Sequence, residues 1–178
     1  MLRVLCRRLA DWNPVSSRYE ARRSNLDDLP APPLPPSLWE LVRSAAETAR
    51  EACASLPAIE PGVCLVNHYS ASGRLGMHQD RSEREATLRR GSPVVSISVG
   101  DACEFTYSDR RPEEADASLV ALGGGDKVKS VRLDSGDVLI FGGPSRMVFH
   151  GVPKIHPNHR PKGLTLAPGR LNLTFREL

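Results

Sequence analysis

The chain has 178 residues, 40% of them hydrophobic and 25% charged, and a net charge of +3; it is long enough to bury one good core, and a single folded domain is the default expectation. No apolar run approaches the roughly 20 residues that span a bilayer, and MLRVLCRRLADW is too short and too broken by arginines to be a secretory signal, so a membrane partner is excluded and an intracellular protein is expected. The four cysteines, Cys6, Cys53, Cys64 and Cys103, show no CxxC pairing, which excludes a zinc ribbon or dithiol redox motif and leaves packed free thiols.

The first 36 residues read as a basic arm followed by a spacer. Arg3, Arg7, Arg8, Arg18, Arg22 and Arg23 are opposed only by Asp11 and Glu20 over the first 23 residues. Such an arm can neutralise phosphates, although a solvated face or an organelle-targeting remnant would look the same from charge alone. Residues 29–36, LPAPPLPP, cannot be helical inside and form an extended spacer, so the expected organisation is arm and spacer over 1–36 and folded domain over 37–178. The arm holds two aromatic residues, Trp12 and Tyr19, and Trp12 is a candidate for either packing or stacking on a base. Ser37 and Glu40 have capping-box spacing, and Leu38, Leu41, Val42, Ala45, Ala46 and Ala49 recur at helical period until Pro57, which predicts a helix packed on a sheet.

From Gly62 onward the pattern turns to short β segments: CLVNHY, SPVVSISVG, ACEFTY, KVKSVRL, DVLIFGG, SRMVFHGV and RLNLTFREL. Their spacing predicts a mainly antiparallel sandwich or barrel with one flanking helix. Asp134-Ser135-Gly136 reads as a hairpin turn, and the acidic, glycine-rich stretch from Ser108 to Asp126 as a mobile surface loop.

Two features of this β region bear chemistry. His78 and Asp80 are two residues apart, so on an extended backbone they point to one side and can share a metal. His150 ends a later segment, where an antiparallel barrel can return it to the same cavity. Two histidines and one carboxylate make the facial triad of non-haem Fe(II) oxygenases, which leaves positions open for co-substrate and O2. In the last segment Leu171, Leu173 and Phe175 alternate with Arg170, Asn172, Thr174 and Arg176. That polar face is either an exposed outer surface or a site for a dianion, whose carboxylates the two guanidinium forks can meet. A dicarboxylate beside such a metal implies 2-oxoglutarate.

NHY (67–69), LGMHQDRSE (75–83), PVVSISVG (93–100), SGDVLIFGGPSRMVFHGVP (135–153) and GRLNLTFRE (169–177) together resemble the AlkB family, in the same order and with similar separations. The DRSE run looks like the eukaryotic AlkB homologue one group. The resemblance implies a double-stranded β-helix, or jelly roll, with Fe(II) held by His78, Asp80 and His150. It further implies 2-oxoglutarate contacts from Asn67 and Tyr69, from Arg170 at the distal carboxylate, and from Arg176 with Asn172 near the metal. Ser82, Glu83 and Trp12 become candidate substrate contacts; for Arg146, fold support and substrate contact both stand open.

The implied reaction consumes O2 and 2-oxoglutarate, releases succinate and CO2, and hydroxylates an N-methyl group that then leaves as formaldehyde. The implied partner is methylated DNA or RNA, with N6-methyladenine, 1-methyladenine or 3-methylcytosine as the type of base, and the short arm favours single-stranded or unpaired substrates. A 2-oxoglutarate oxygenase acting on protein and a non-catalytic metal- or nucleic-acid-binding module are the alternatives. His156 and His159, in PKIHPNHRPKG, read as solvated rather than as a second metal site.

Overall fold

Proline decides where the helix begins. α1 (Pro36–Ala52) starts with Pro36 in its first turn and extended Pro35 as its N-cap; a proline there forfeits only an N–H that would have no partner within the helix. Ser37 therefore lies inside the first turn and makes no capping hydrogen bond, so the expected box with Glu40 does not form. The apolar stripe behaves as its spacing predicts, with Val42 and Ala46 buried to 0% and 2% exposure, whereas Leu41 falls off the stripe and is 48% exposed. The computed structural model describes residues 2–7, 11–13, 15, 18–20, 22, 27–30, 32–111 and 128–177.

Two antiparallel sheets make up the body of the fold. In chain order the strands are β1 (Leu2–Arg7), β2 (Asp11–Asn13), β3 (Arg18–Glu20), β4 (Val63–Tyr69), β5 (Leu75–His78), β6 (Val94–Gly100), β7 (Ala102–Ser108), β8 (Lys129–Leu133), β9 (Val138–Phe141), β10 (Phe149–His156) and β11 (Arg170–Arg176), and a short α2 (Glu85–Arg89) follows β5. One sheet has the order β1-β4-β11-β6-β9, the other β5-β10-β7-β8, and β2 pairs with β3 separately. From β4 to β11 every step except β7 to β8 crosses from one sheet to the other, the wrapping that makes a jelly roll. Among the described residues, no helix is long and apolar enough to cross a membrane.

This crossing corrects one expectation. Asp134-Ser135-Gly136 does not close a hairpin, because β8 and β9 belong to different sheets. The Gly136 N–H donates to the Ser98 carbonyl and the Ser98 N–H to the Asp137 carbonyl, so the turn is stitched to β6 as the chain changes layers. Gly136 has φ +98°, a backbone conformation that residues with a side chain rarely adopt, so glycine makes the reversal without strain. SRMVFHGV is likewise not one strand: Gly143–Ser145 form a single 3-10 turn and β10 starts at Phe149. Ser145 Oγ accepts from the Gly142 N–H and donates to its carbonyl, which holds that turn.

The expected boundary at residue 36 does not separate arm from domain. β1 pairs residue by residue with β4, from Leu2 opposite His68 to Arg7 opposite Val63, and so extends the larger sheet. Trp12 stands opposite Tyr19 in the β2–β3 pair; the Trp12 side chain, Arg8, Arg23 and insertion residues 112–127 lie outside the described residues.

Alternation along the strands divides the larger sheet into two chemically different faces. Cys64, Val95, Ile97 and Phe175 pack with Val42 and Ala46 of α1, and Val66, Val99 and Leu173 lie against that cluster. Asn67, Tyr69, Ser96, Arg170, Asn172, Thr174 and Arg176 line the cavity between the sheets. The helix thus occupies the apolar face, and the polar face of β11 is turned inward rather than to water.

The thiols divide in the same way. Cys64 and Cys103 are buried but Cys53, expected to be packed, is exposed. A hydrogen bond from Ser55 lowers the Cys53 pKa, while burial pushes the Cys103 thiol up to about 11. Among these three, Cys53 should be alkylated first by a maleimide, with Cys64 and Cys103 reacting only on unfolding; peptide mapping that found Cys103 modified in the folded chain would contradict this packing.

Candidate active site

The last residue of β5 and the second of β10 meet across a strand pair. His78 is the register partner of His150, and their rings lie 4.4 Å apart. Gly151 permits this approach, since a Cβ there would lie 2.8 Å from the Leu75 carbonyl oxygen. Asp80 follows two residues after His78, with Oδ1 3.8 Å from His78 Nε2 and Oδ2 3.8 Å from His150 Nε2. One ligand atom from each residue lies within 4.8 Å of the others.

Each ring is fixed from behind. His78 Nδ1 lies 2.9 Å from the Gly76 carbonyl and His150 Nδ1 3.2 Å from the Val148 carbonyl, so each Nδ1 carries the proton and each Nε2 offers its lone pair to the centre. Phe105 stacks on His150 at 5.6 Å and Phe141 lies 5.0 Å from it. Burial lowers the His150 pKa and keeps the imidazole neutral. Burial alone would raise the Asp80 pKa, but the guanidinium charge of Arg176, with a smaller contribution from Arg146, holds it below the usual carboxylate value. Two imidazole nitrogens and an ionised carboxylate gathered at one point are a donor set that suits a divalent first-row metal.

The cavity beside this triad encloses about 210 Å³. At its inner end Arg170 is 1% exposed. One of its nitrogens, Nη2, donates to Ser98 Oγ at 3.0 Å, while Nε and Nη1 have no hydrogen-bond partner among the described residues. A buried cation left in this way costs several kcal/mol, about what an anion in the cavity would restore. Tyr69 is opposite Arg170 and Asn67 opposite Asn172 in the β4–β11 register, so two i, i+2 pairs face each other across neighbouring strands. Asn67 Nδ2 donates to Asn172 Oδ1 at 3.4 Å, and Asn67 Oδ1 has no hydrogen-bond partner among the described residues. Asn172 Nδ2 donates to Ser96 Oγ at 2.6 Å, and Thr174 Oγ1 to Asn172 Oδ1 at 2.8 Å. Arg176 stands at the triad end, with Nη1 3.3 Å from Asp80 Oδ1.

The three substrate candidates near the triad separate. Ser82 lines the cavity. Glu83 does not: its side chain is fully buried, with Oε1 2.8 Å from Arg146 Nη2 and 3.1 Å from Arg176 Nη1. Arg146 is 2% exposed and its Nη1 donates to the Asp80 carbonyl at 2.6 Å, the position of a side chain that supports the fold behind Asp80. Two buried guanidinium groups need a counter-charge, and Glu83 supplies it. Sequence reasoning missed Ser96 and Ser98, although the alternation in SISVG places both on one face of β6; it had no signal for the Glu83–Arg146 pair, which long-range folding creates.

The chain belongs to the 2OG-Fe(II) oxygenase superfamily, whose family model matches residues 2–176, and within it to the AlkB family. It is 42% identical over 181 residues to the DNA N(6)-methyladenine demethylase ALKBH1C of Arabidopsis thaliana, a match covering 94% of this chain and 37% of that protein. It is 38% identical over 100 residues to the tRNA demethylase abh1 of Schizosaccharomyces pombe, covering 56% of this chain and 28% of that protein. The solved structure of OsALKBH1 superposes with a TM-score of 0.85 at 39% identity, over 99% of this chain and 77% of that one. The chain thus spans little more than a third of the length of the Arabidopsis relative.

Proposed function

We propose that the chain is an Fe(II)- and 2-oxoglutarate-dependent dioxygenase that removes methyl groups from nucleobases of DNA or RNA. The observation that supports this best is Arg170, a buried guanidinium with two nitrogens lacking a partner among the described residues, in the same cavity as a two-histidine, one-aspartate cluster. His78, Asp80 and His150 would hold the iron. Arg170 with Tyr69 would grip the distal carboxylate of 2-oxoglutarate, and Arg176, Asn67 and Asn172 would serve the metal end. Bound iron would couple oxidative decarboxylation of 2-oxoglutarate by O2 to hydroxylation of an N-methyl group, which leaves as formaldehyde. The hydrophobic walls given by Phe105 and Phe141 would keep the site dry.

A nucleic-acid substrate is supported by the relatives' names and by exposed Arg81 and Arg84 on either side of Ser82, which lines the cavity. Methylated oligonucleotides should therefore be converted with formaldehyde release and methylated peptides should not; the reverse pattern would move the substrate to protein.

His150 is 6% exposed, so a base must leave its stack to reach it, which costs a few kcal/mol more in a paired duplex. We expect a methylated strand to be demethylated faster alone than annealed, and its binding to weaken as salt is added. Equal or faster turnover on the perfect duplex at fixed ionic strength would contradict this.

A further inference from the structure

Behind the triad, Asp80 is held at two points. Arg176 Nη1 lies 3.3 Å from its Oδ1 and Arg146 Nη1 donates to its backbone carbonyl at 2.6 Å. Both arginines are also held by one oxygen, Oε1 of Glu83, at 2.8 Å from Arg146 Nη2 and 3.1 Å from Arg176 Nη1. The Glu83 side chain has 0% exposure, and those of Arg146 and Arg176 have 2% and 5%. Solvent therefore screens none of these charges strongly.

The arrangement creates a competition at Asp80. A guanidinium 3.3 Å from Oδ1 attracts the carboxylate that a metal cation would also use, and Glu83 shares that guanidinium. We propose that Glu83 is a positioning residue which restrains Arg176, so that Asp80 stays available to the metal. Without the Glu83 charge, Arg176 and Arg146 have Asp80 as their common acidic partner in this cluster, and Arg176 closes on Oδ1 at the expense of metal binding. The inference rests on the metal site proposed above and adds a role for a group that does not line the cavity.

The test is Co(II) binding, followed by titration calorimetry and visible absorption under anaerobic conditions, on the whole chain and on Glu83→Gln, Arg176→Gln and Glu83→Gln/Arg176→Gln variants. Glu83→Gln should raise the Co(II) Kd at least about tenfold, a loss of the size seen when outer-sphere partners of metal ligands are removed. Measured without metal, its affinity for 2-oxoglutarate should change far less, because Arg170, the main proposed partner of the co-substrate, is held by Ser98 and not by this cluster. Deleting the competitor as well, in the double variant, should return the Co(II) Kd to within about threefold of the unaltered chain, and Arg176→Gln alone should change that Kd too little for simple addition of the two single effects to account for the recovery. If Glu83→Gln alone does not fold, the double variant decides: retained Co(II) binding supports the inference and its loss overturns it. An unchanged Co(II) Kd in Glu83→Gln, or no recovery in the double variant, overturns it while leaving the metal site intact. Failure of the unaltered chain to bind Co(II) would overturn the site and the inference together.

Discussion

Replacing His78, Asp80 or His150 with alanine is expected to lower turnover by more than about 100-fold, beyond the 10- to 100-fold typical of residues that only support metal ligands. Each supplies one of the three donor atoms gathered within 4.8 Å, and among the described residues no other group of three His, Cys, Asp or Glu stands ready to substitute. The fold should survive in all three. In the Asp80 variant Glu83 still neutralises Arg176 at 3.1 Å, and in the His78 variant a half-buried ring is lost from the cavity edge. The His150 variant opens a gap between Phe105 and Phe141 and should be the least stable of the three. Circular dichroism with metal analysis checks both parts. Stoichiometric Fe(II) binding and normal succinate production in any of the variants would remove that residue from the triad.

Arg170→Ala is expected to raise the 2-oxoglutarate requirement by roughly 10- to 150-fold, the equivalent of losing a charge-assisted hydrogen bond worth about 1.5 to 3 kcal/mol. Arg170→Lys keeps the charge and loses the planar fork, so it should recover only part of that affinity. The same substitutions should reduce the rise in Tm that 2-oxoglutarate gives to the metal-loaded chain, since that rise follows ligand affinity. Metal binding should be little affected, because Arg170 is held by Ser98 and makes no contact with the triad. An effect confined to oligonucleotide affinity would assign Arg170 to the nucleic-acid surface instead.

Much of this arrangement is legible in the chain. The i, i+2 spacing of His78 and Asp80 and the alternation of Arg170, Asn172, Thr174 and Arg176 each follow from strand geometry, and both recur in the structure on the cavity wall. What the alternation alone does not decide is whether the polar face of β11 looks inward or outward. That is settled by α1, whose Val42 and Ala46 cover the opposite face at Phe175. Three features were illegible because they depend on partners distant in sequence. The Asp134–Gly136 turn looks like a hairpin locally and changes sheets only because Ser98 receives it. The arginines of residues 1–23 suggest an arm, yet Leu2–Arg7 gain a strand partner in β4. Glu83 and Arg146 each resemble ordinary charged residues until the fold buries them together. The Ser37 cap fails for a local reason, since Pro35 and Pro36 already fix the backbone that a cap would stabilise.

The central claim is that one cavity joins a metal triad to a dicarboxylate site for oxidative demethylation of a base. It is tested most directly by loading the chain anaerobically with Fe(II) and 2-oxoglutarate, adding oxygen with a panel of methylated oligonucleotides, and following base, succinate and formaldehyde by mass spectrometry. The account predicts loss of a methyl group from at least one base, with succinate and formaldehyde formed in equal amounts and both dependent on Arg170 and the triad. Succinate formation that is unchanged by Arg170→Ala and Asp80→Ala, or a metal- and 2-oxoglutarate-loaded chain that forms no succinate with any methylated strand, would contradict it.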